Sequence, residues 1–306
     1  MGVSVDVDVG VVTWNTRELT VVALRRLLRS DPGVTLRLLV RDNGSTDGTA
    51  EAIAQQVPEA DLDAGQANLG FAAGMNTLIA RSTAPYFLAL NSDAWPEPGA
   101  IGALIAAADR HPRAAALAPR LERPDGTLEH STHPFPSLWV AAVSGAALYP
   151  RVGRAHAHRL GLTGAFAHDA ERAVDWAVGA ALLLRRGALD ELGGFDETFF
   201  MYAEDLEWCW RARRSGWEVW FTPTALVRHV GNASGASAYG AGRDAAWLAN
   251  SYRFYRDHHG AASTAAYRAL NAAGALRAAA RERTHGDRAA ARAWLRQVPL
   301  HLRHHG

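Results

Sequence analysis

Cysteine is nearly absent: Cys209 stands alone among 306 residues. A single thiol excludes an internal disulfide framework and any multi-cysteine metal site. The plain expectation for Cys209 is a small buried hydrophobe. Lysine is missing altogether, so all 32 basic side chains are arginines. An excess of either charge is missing too. Those 32 arginines meet 31 Asp and Glu, for a formal net charge of +1. That balance exerts no global pull toward nucleic acid, and no nucleic-acid partner is expected. No apolar run reaches the roughly 20 residues needed to cross a bilayer. The start MGVSVDVDVGVV has no basic segment before its apolar one and reads as a strand, not a leader. A cytoplasmic protein is the expectation.

Two signature loops are also lacking. No G-x-G-x-x-G follows a strand, and no G-x-x-x-x-G-K-[ST] occurs. A dinucleotide-type Rossmann site and a P-loop are therefore not expected. No internal repeat of the solenoid kind is visible.

What is present is alternation. VDVGVVTW is a short β-branched run, and NTRELTVVALRRLLRS then has helical period, with Asn15 and Glu18 spaced as in a capping box. TLRLLVRDNG reads as the next strand, GTAEAIAQQV and LGFAAGMNTLIARS as helices, and PYFLALNSD as another buried strand. Strands alternating with helices imply an α/β fold with a mostly parallel, doubly wound sheet flanked by helices. Beyond residue 113 the pattern loosens into loop and hairpin. Residues 151–173 are weakly periodic and are expected to be mobile. VDWAVGAALLLRR reads as one buried strand, WEVWFTP and ALVRHVGNAS as two short ones, and residues 241–306 as an Ala- and Arg-rich helical extension. The domain reading is 1–240, with a nucleotide-binding half of about 1–112 and an acceptor-binding half of about 113–240, followed by the extension.

Ligands in such sheets bind beyond the carboxyl ends of the strands. Three successive strands place polar residues there: Thr13 and Asn15, then Asp42 and Asn43, then Asn91, Ser92 and Asp93. One such Asp is usually a turn former, but three strands in order point to a site. The glycines of GFAAG, Gly70 to Gly74, suit close packing or backbone approaching a ligand. Glu204 and Asp205 lie side by side among Phe199, Phe200, Tyr202, Trp208 and Trp210. Apolar surroundings and a like charge both raise a carboxylate's pKa, which suits a general base. The nearby tryptophans offer flat faces to sugars. His229 follows a late strand, and with Asp93 it suits a divalent cation bound to phosphate oxygens. Together these features imply group transfer from a nucleotide diphosphate to an acceptor hydroxyl. Two other readings stay open: a nucleotidyltransferase, although VVTWNTREL lacks its Gly-rich basic loop, and a non-catalytic sugar-nucleotide-binding module.

Eight stretches between residues 7 and 235 carry a resemblance: VVTWN, VRDNGSTDGT, NLGFAAGMN, LALNSDAWPEPGAI, RPDGTLEHS, VDWAVGAALLLRR, LGGFDETFFMYAEDLEWCWRARRSGW and HVGNAS. In this order the chain resembles family 2 of the inverting glycosyltransferases, which have the GT-A fold, and especially the bacterial rhamnosyltransferase-like branch. The resemblance implies that Thr13, Asn15 and Asp42 line the base and ribose pocket, and that Asn43, Asn68, Gly70, Asn91 and Ser92 border the nucleotide. It implies that Asp93 and His229 hold Mg2+ or Mn2+, that Trp176 and Gly179 shape the sugar pocket, and that Asp205 is the base, with Glu204 beside it orienting acceptor or donor sugar. Asn91 stands where the family often has Asp, and a neutral amide is a poorer metal ligand than a carboxylate. The implied donor is deoxythymidine diphosphate rhamnose first and a uridine diphosphate hexose second. The acceptor is a glycan, a lipid-linked sugar or a small natural product. Oligomeric state is left open, a homodimer included. The tail, with Trp294, Leu295, Leu300, Leu302 and its arginines, reads either as a basic amphipathic helix at the inner membrane face or as a helix packed on the domain. Its His301, His304 and His305 read as solvated.

Overall fold

A computed structural model of the chain describes residues 5–145, 168–231 and 242–303. The first strand, β1 (Val7–Thr13), is buried along all seven residues. Val7, Val9, Val11 and Val12 give it apolar surface on both faces, and the buried Asp8 between them pairs with Arg37 at 2.7 Å. β1 pairs in parallel with β2 (Leu36–Asp42) and β4 (Tyr86–Asn91), and β2 pairs in parallel with β3 (Asp61–Ala64). Helices α1 (Arg17–Leu27), α2 (Thr49–Gln56) and α3 (Phe71–Ile79) make the connections. The shared core includes Val9, Val11, Leu24, Ile53 and Leu88. Burying each such side chain contributes roughly 1.5–3 kcal/mol.

Beyond β4 the sheet is mixed. β11 (Ala181–Arg185) joins β4 antiparallel, and β6 (Ala114–Glu122) joins β11 antiparallel. β12 (Glu218–His229) then runs parallel to β6, and β5 (Ala94–Pro96) closes the edge antiparallel to β12. The order is β3-β2-β1-β4-β11-β6-β12-β5. Shorter strands attach to this frame: β7 (Leu128–Glu129) on β6, and β9 (Arg172–Val174) on β12. β8 (Thr132–His133) pairs separately with β10 (Trp176–Ala177). Helices α4 (Ala100–Arg110), α6 (Arg186–Leu192) and α7 (Glu204–Arg214) complete this part, and α5 is described below.

Several local expectations change. WEVWFTP and ALVRHVGNAS merge into the single strand β12, whose register shifts between Thr222 and Leu226, around Pro223. VDWAVGAALLLRR divides into β9, β10 and β11. The capping box does not form: Thr16 is the N-cap of α1, with no side-chain cap bond. Asn15 Oδ1 instead accepts the Thr46 N–H at 2.8 Å, because the turn after β2 lies within its reach. Of the segment expected to be mobile, residues 151–167 lie outside the described residues, and residues 172–173 begin β9.

The chain divides into two units, residues 1–133 with 167–241, and residues 134–166 with 242–306. The second contains α5 (Leu138–Gly145), α8 (Arg243–Thr284), which breaks at Gly260, and α9 (Arg288–Leu302). α5 crosses α8 closely, since a Cβ added to Gly274 would sit 2.8 Å from the Cα of Gly145. The Tyr252 hydroxyl lies 2.7 Å from His301 Nδ1 in a buried contact. His301 is therefore part of this unit's packing and is not solvated. His304 and His305 lie outside the described residues.

Candidate active site

Strand register sets the rim. Thr13 pairs with Asp42, and Val12 with Asn91. Loops after these strands therefore start at one level. Thr13 turns its hydroxyl toward α1, 2.9 Å from both Thr16 Oγ1 and Thr20 Oγ1, and it is buried. Asn15 has a left-handed φ of 50°, a conformation that Asn tolerates better than most residues. Its N–H donates to Ser45 Oγ at 2.8 Å. Asp42 accepts the Ser45 N–H at 2.9 Å and the Ser45 hydroxyl at 2.5 Å. The β1 end and the β2 turn thus form one hydrogen-bonded unit around a buried carboxylate. Ionised carboxylates offer about four acceptor positions, and Ser45 takes two of them.

Asn43 reaches the other way. Its Nδ2 donates to the Gly70 carbonyl at 2.9 Å and lies 3.3 Å from Asn68 Oδ1, which also accepts the Gly70 N–H at 2.9 Å. Gly70 has φ 84°, and a Cβ there would lie 2.3 Å from the Phe200 carbonyl oxygen. The Phe71 N–H donates to that oxygen at 2.7 Å. Asn76, the last residue of NLGFAAGMN, exchanges two 2.8 Å hydrogen bonds with the backbone of Phe195. Sequence reasoning gave Asn76 no role. Its signal was only that a polar residue interrupts an otherwise mostly small and apolar helix. These bonds hold residues 195–203 against α3, and that segment leads directly into α7.

α7 starts under strain. Tyr202 and Ala203 have φ of 73° and 74°, and left-handed non-glycine residues cost on the order of 1–3 kcal/mol each unless their surroundings enforce them. Asp205 lies in the first turn. Its Oδ2 accepts the Gly179 N–H and its Oδ1 accepts the Leu206 N–H, both at 2.8 Å. Gly179 packs directly on Asp205: a Cβ added there would meet the Asp205 Cβ at 3.4 Å, an ordinary van der Waals contact. Glu204 is buried, and its Oε2 has no hydrogen-bond partner among the described residues. Burial raises the Glu204 pKa well above the ordinary value, and the Asp205 charge raises it further. Burial also raises Asp205, but the N–H groups of Gly179 and Leu206 oppose that rise. The two environments push the pair apart, with Glu204 the one that holds a proton more tightly.

The rings around the pair divide in function. Trp208 is fully buried and donates its Nε1–H to the Gly193 carbonyl at 3.0 Å. It is core and offers no face to a sugar, contrary to the sequence expectation. Trp176 is 9% exposed and tilts against His133 at a ring separation of 4.8 Å. Cys209 is buried, and burial pushes its thiol up to about 12, so it is inert packing.

At the end of β12, His229 pairs with Ala94. This brings its Nε2 to 3.3 Å from Asp93 Oδ1 and 3.3 Å from Asn91 Nδ2. On the opposite side of the ring, Nδ1 lies 3.0 Å from Glu129 Oε2. Burial alone would lower this imidazole's pKa, but the bonds and charges of Asp93 and Glu129 lift it to about 9. Ser92 is buried, with its Oγ 3.4 Å from Thr16 Oγ1. Asp93 Oδ1 and His229 Nε2 are an oxygen and a nitrogen donor that suit Mn2+ and, less well, Mg2+, whereas Asn91 turns its amide nitrogen toward the ring. Among the described residues no group of three or more His, Cys, Asp or Glu forms a complete cation cage. The fit is therefore to part of a coordination shell.

Comparison with known proteins finds relatives of this chain. The model of the family "Glycosyl transferase family 2" matches residues 8–173. The N-acetylglucosaminyl-diphospho-decaprenol L-rhamnosyltransferase of Mycobacterium tuberculosis is 36% identical over 241 residues, covering 72% of this chain and 75% of its own. The pre-mycofactocin glycosyltransferase of the same species is 29% identical over 218 residues, covering 67% of this chain and 39% of its own. Among solved structures, the mannosyltransferase PcManGT from Pyrobaculum calidifontis, in complex with GDP-Man and Mn2+, superposes with a TM-score of 0.59 at 18% identity, covering 98% of this chain and 81% of that one. S. aureus TarS superposes with a TM-score of 0.52 at 13% identity, covering 87% and 42%. The two structural likenesses speak to the fold.

Proposed function

The chain belongs to glycosyl transferase family 2, and from that premise we propose that it moves a hexose, rhamnose first, from a thymidine or uridine diphosphate donor to an acceptor hydroxyl in one inverting displacement. The observation that carries the reading is Asp205, fixed by two backbone N–H groups beside the buried carboxyl of Glu204, whose pKa burial raises. Asp205 takes the acceptor's hydroxyl proton. The freed oxygen bonds to the anomeric carbon while the bond from that carbon to the diphosphate oxygen breaks, and the nucleoside diphosphate leaves with the electron pair. Glu204, neutral, orients acceptor or donor without competing for the proton. The apolar rings around the pair exclude water that would otherwise hydrolyse the donor.

Asp93 and His229 would hold the divalent cation, whose contribution there is to neutralise charge on the departing diphosphate. Asp42, Asn15 and Thr13 form the candidate base and ribose wall, and Asn43, Asn68, Gly70 and Ser92 border it. Asn91 sits beside His229 and contributes to the same corner. Gly179 acts on the sugar side by orienting Asp205, with Trp176 nearby in sequence on β10.

The acceptor favoured is a lipid-linked sugar, because the mycobacterial rhamnosyltransferase is named for a decaprenol-diphosphate-linked one. The second unit suits a membrane surface: α9 exposes Trp294, Leu295 and Leu302 alongside Arg292, Arg296 and Arg303. Among the described residues no helix is long and apolar enough to cross a membrane, so contact would be interfacial. The test is incubation with deoxythymidine diphosphate rhamnose and a prenyl-diphosphate N-acetylglucosamine, followed by NMR of the product. A glycoside of inverted configuration is expected. A retained anomer, or no transfer from any pyrimidine diphosphate sugar, overturns the proposal.

A further inference from the structure

The stretch RPDGTLEHS has no part in the mechanism so far. It forms a hairpin: β6 ends at Glu122, the turn closes with the Gly126 N–H donating to the Arg123 carbonyl at 2.9 Å, and β7 returns with Glu129 opposite Leu121. The hairpin is tied to β12 next to the metal corner. Arg228 bridges Glu122 at 2.7 Å and Glu97 at 3.0 Å. Its neighbour His229 meets Glu129 Oε2 through Nδ1 at 3.0 Å. The same ring meets Asp93 through Nε2 at 3.3 Å. The imidazole therefore has one nitrogen engaged from the hairpin and the other turned toward Asp93 and Asn91.

We infer that Glu129 is a positioning residue of the divalent-cation site, accepting the His229 Nδ1–H so that Nε2 presents its lone pair beside Asp93. A histidine that ligates a metal commonly donates its other N–H to a carboxylate, which fixes the tautomer and ring orientation and makes the ligating nitrogen more basic. Glu129 is suited to this because it arrives from a different strand and approaches the ring from the side away from Asp93. The inference rests on the reading of Asp93 and His229 as the metal pair. A merely structural Glu129–His229 ion pair would hold the hairpin down but would leave cation affinity alone once the protein was folded.

The experiment is a Mn2+ titration of the full-length protein with uridine diphosphate present, in which electron paramagnetic resonance measures free Mn2+. Glu129→Ala should weaken Mn2+ binding by about 10–100-fold. Glu129→Gln keeps an oxygen for the Nδ1–H and should stay within about threefold of the unchanged protein. Uridine diphosphate affinity without cation should be the same in all three. If Glu129→Ala does not fold, Glu129→Asp replaces it: the shorter side chain draws the carboxylate back, and weakening of about tenfold is expected. Mn2+ binding unchanged in Glu129→Ala, or in Glu129→Asp where that replaces it, while Asp93→Ala abolishes it, overturns the role of Glu129 and leaves the metal pair standing. No Mn2+ binding by the unchanged protein, or equal binding by Asp93→Ala, overturns both.

Discussion

Gly179 donates its backbone N–H to Asp205 Oδ2 at 2.8 Å, so a turn between two short strands holds the first residues of a distant helix in place. The bond favours the ionised form of a carboxyl that burial would otherwise neutralise. Asp205→Asn keeps the shape and removes the basicity. Turnover should fall by about 10²–10⁴-fold, the usual size of general-base catalysis, with donor affinity nearly unchanged. Steady-state turnover and calorimetric donor binding on one preparation check this, and near-normal turnover would place the base elsewhere.

Glu204 is the opposite case. If it keeps its proton, Glu204→Gln is close to isosteric and isoelectronic with the native state. Turnover should drop far less than for Asp205→Asn, and the acidic limb of kcat/KM should stay where it is, because a Glu204 that is neutral while Asp205 titrates exerts no charge on it. A pH–rate profile of the variant reads both. Loss of activity equal to that of Asp205→Asn would identify Glu204 as an ionised participant.

His229 predicts a pH dependence of stability without metal. Its folded pKa is about 9, above the ordinary 6.5 or so expected in the unfolded chain. The folded state therefore holds this proton more tightly. The stabilisation is complete below pH 6.5 or so and is lost as pH rises through about 9, a change on the order of 3 kcal/mol. Urea unfolding in chelator at pH 6 and pH 9.5 measures the difference, and His229→Gln should remove most of it.

Gly70 is a steric prediction. With φ 84° and no space for a Cβ against the Phe200 carbonyl, Gly70→Ala should destabilise the fold by about 1–3 kcal/mol. It should also lower turnover, because Phe200 lies in the segment leading to Asp205. Denaturant unfolding and turnover of the same variant test this, and a neutral effect on both would mean that α3 and that segment are not coupled.

The face of α9 predicts lipid contact. Leu295→Glu with Leu302→Glu changes exposed positions and leaves the Tyr252–His301 packing intact. Flotation with anionic vesicles should fall several-fold, while transfer to a water-soluble acceptor persists. Equal, negligible flotation of native and variant protein would remove the membrane contact.

Much of this was legible in the residues because it depends on local chemistry. Buried β-branched runs and helical period gave β1, α1, β2, α3 and β4. Polar residues ending those strands marked the rim, and two adjacent acids among rings marked the buried carboxyl pair. The connection pattern did not disclose β11 entering antiparallel beside β4, because strand order is a long-range choice that no short stretch encodes. Nor did it disclose that Trp208 lies inside, since a ring looks the same in sequence whether it faces solvent or core.

The partners of the key groups belong to tertiary structure for a more basic reason. Every residue except proline carries a backbone N–H, so the sequence alone could place Gly179 near a sugar site but could not say that its N–H would reach Asp205. Glu129 and Asn76 were ordinary polar residues until a hairpin and a helix brought them to His229 and Phe195. The sequence by itself determined which chemical groups the site has to work with. The folded chain decided which of them are buried together, which point at one another, and which are only holding the others still.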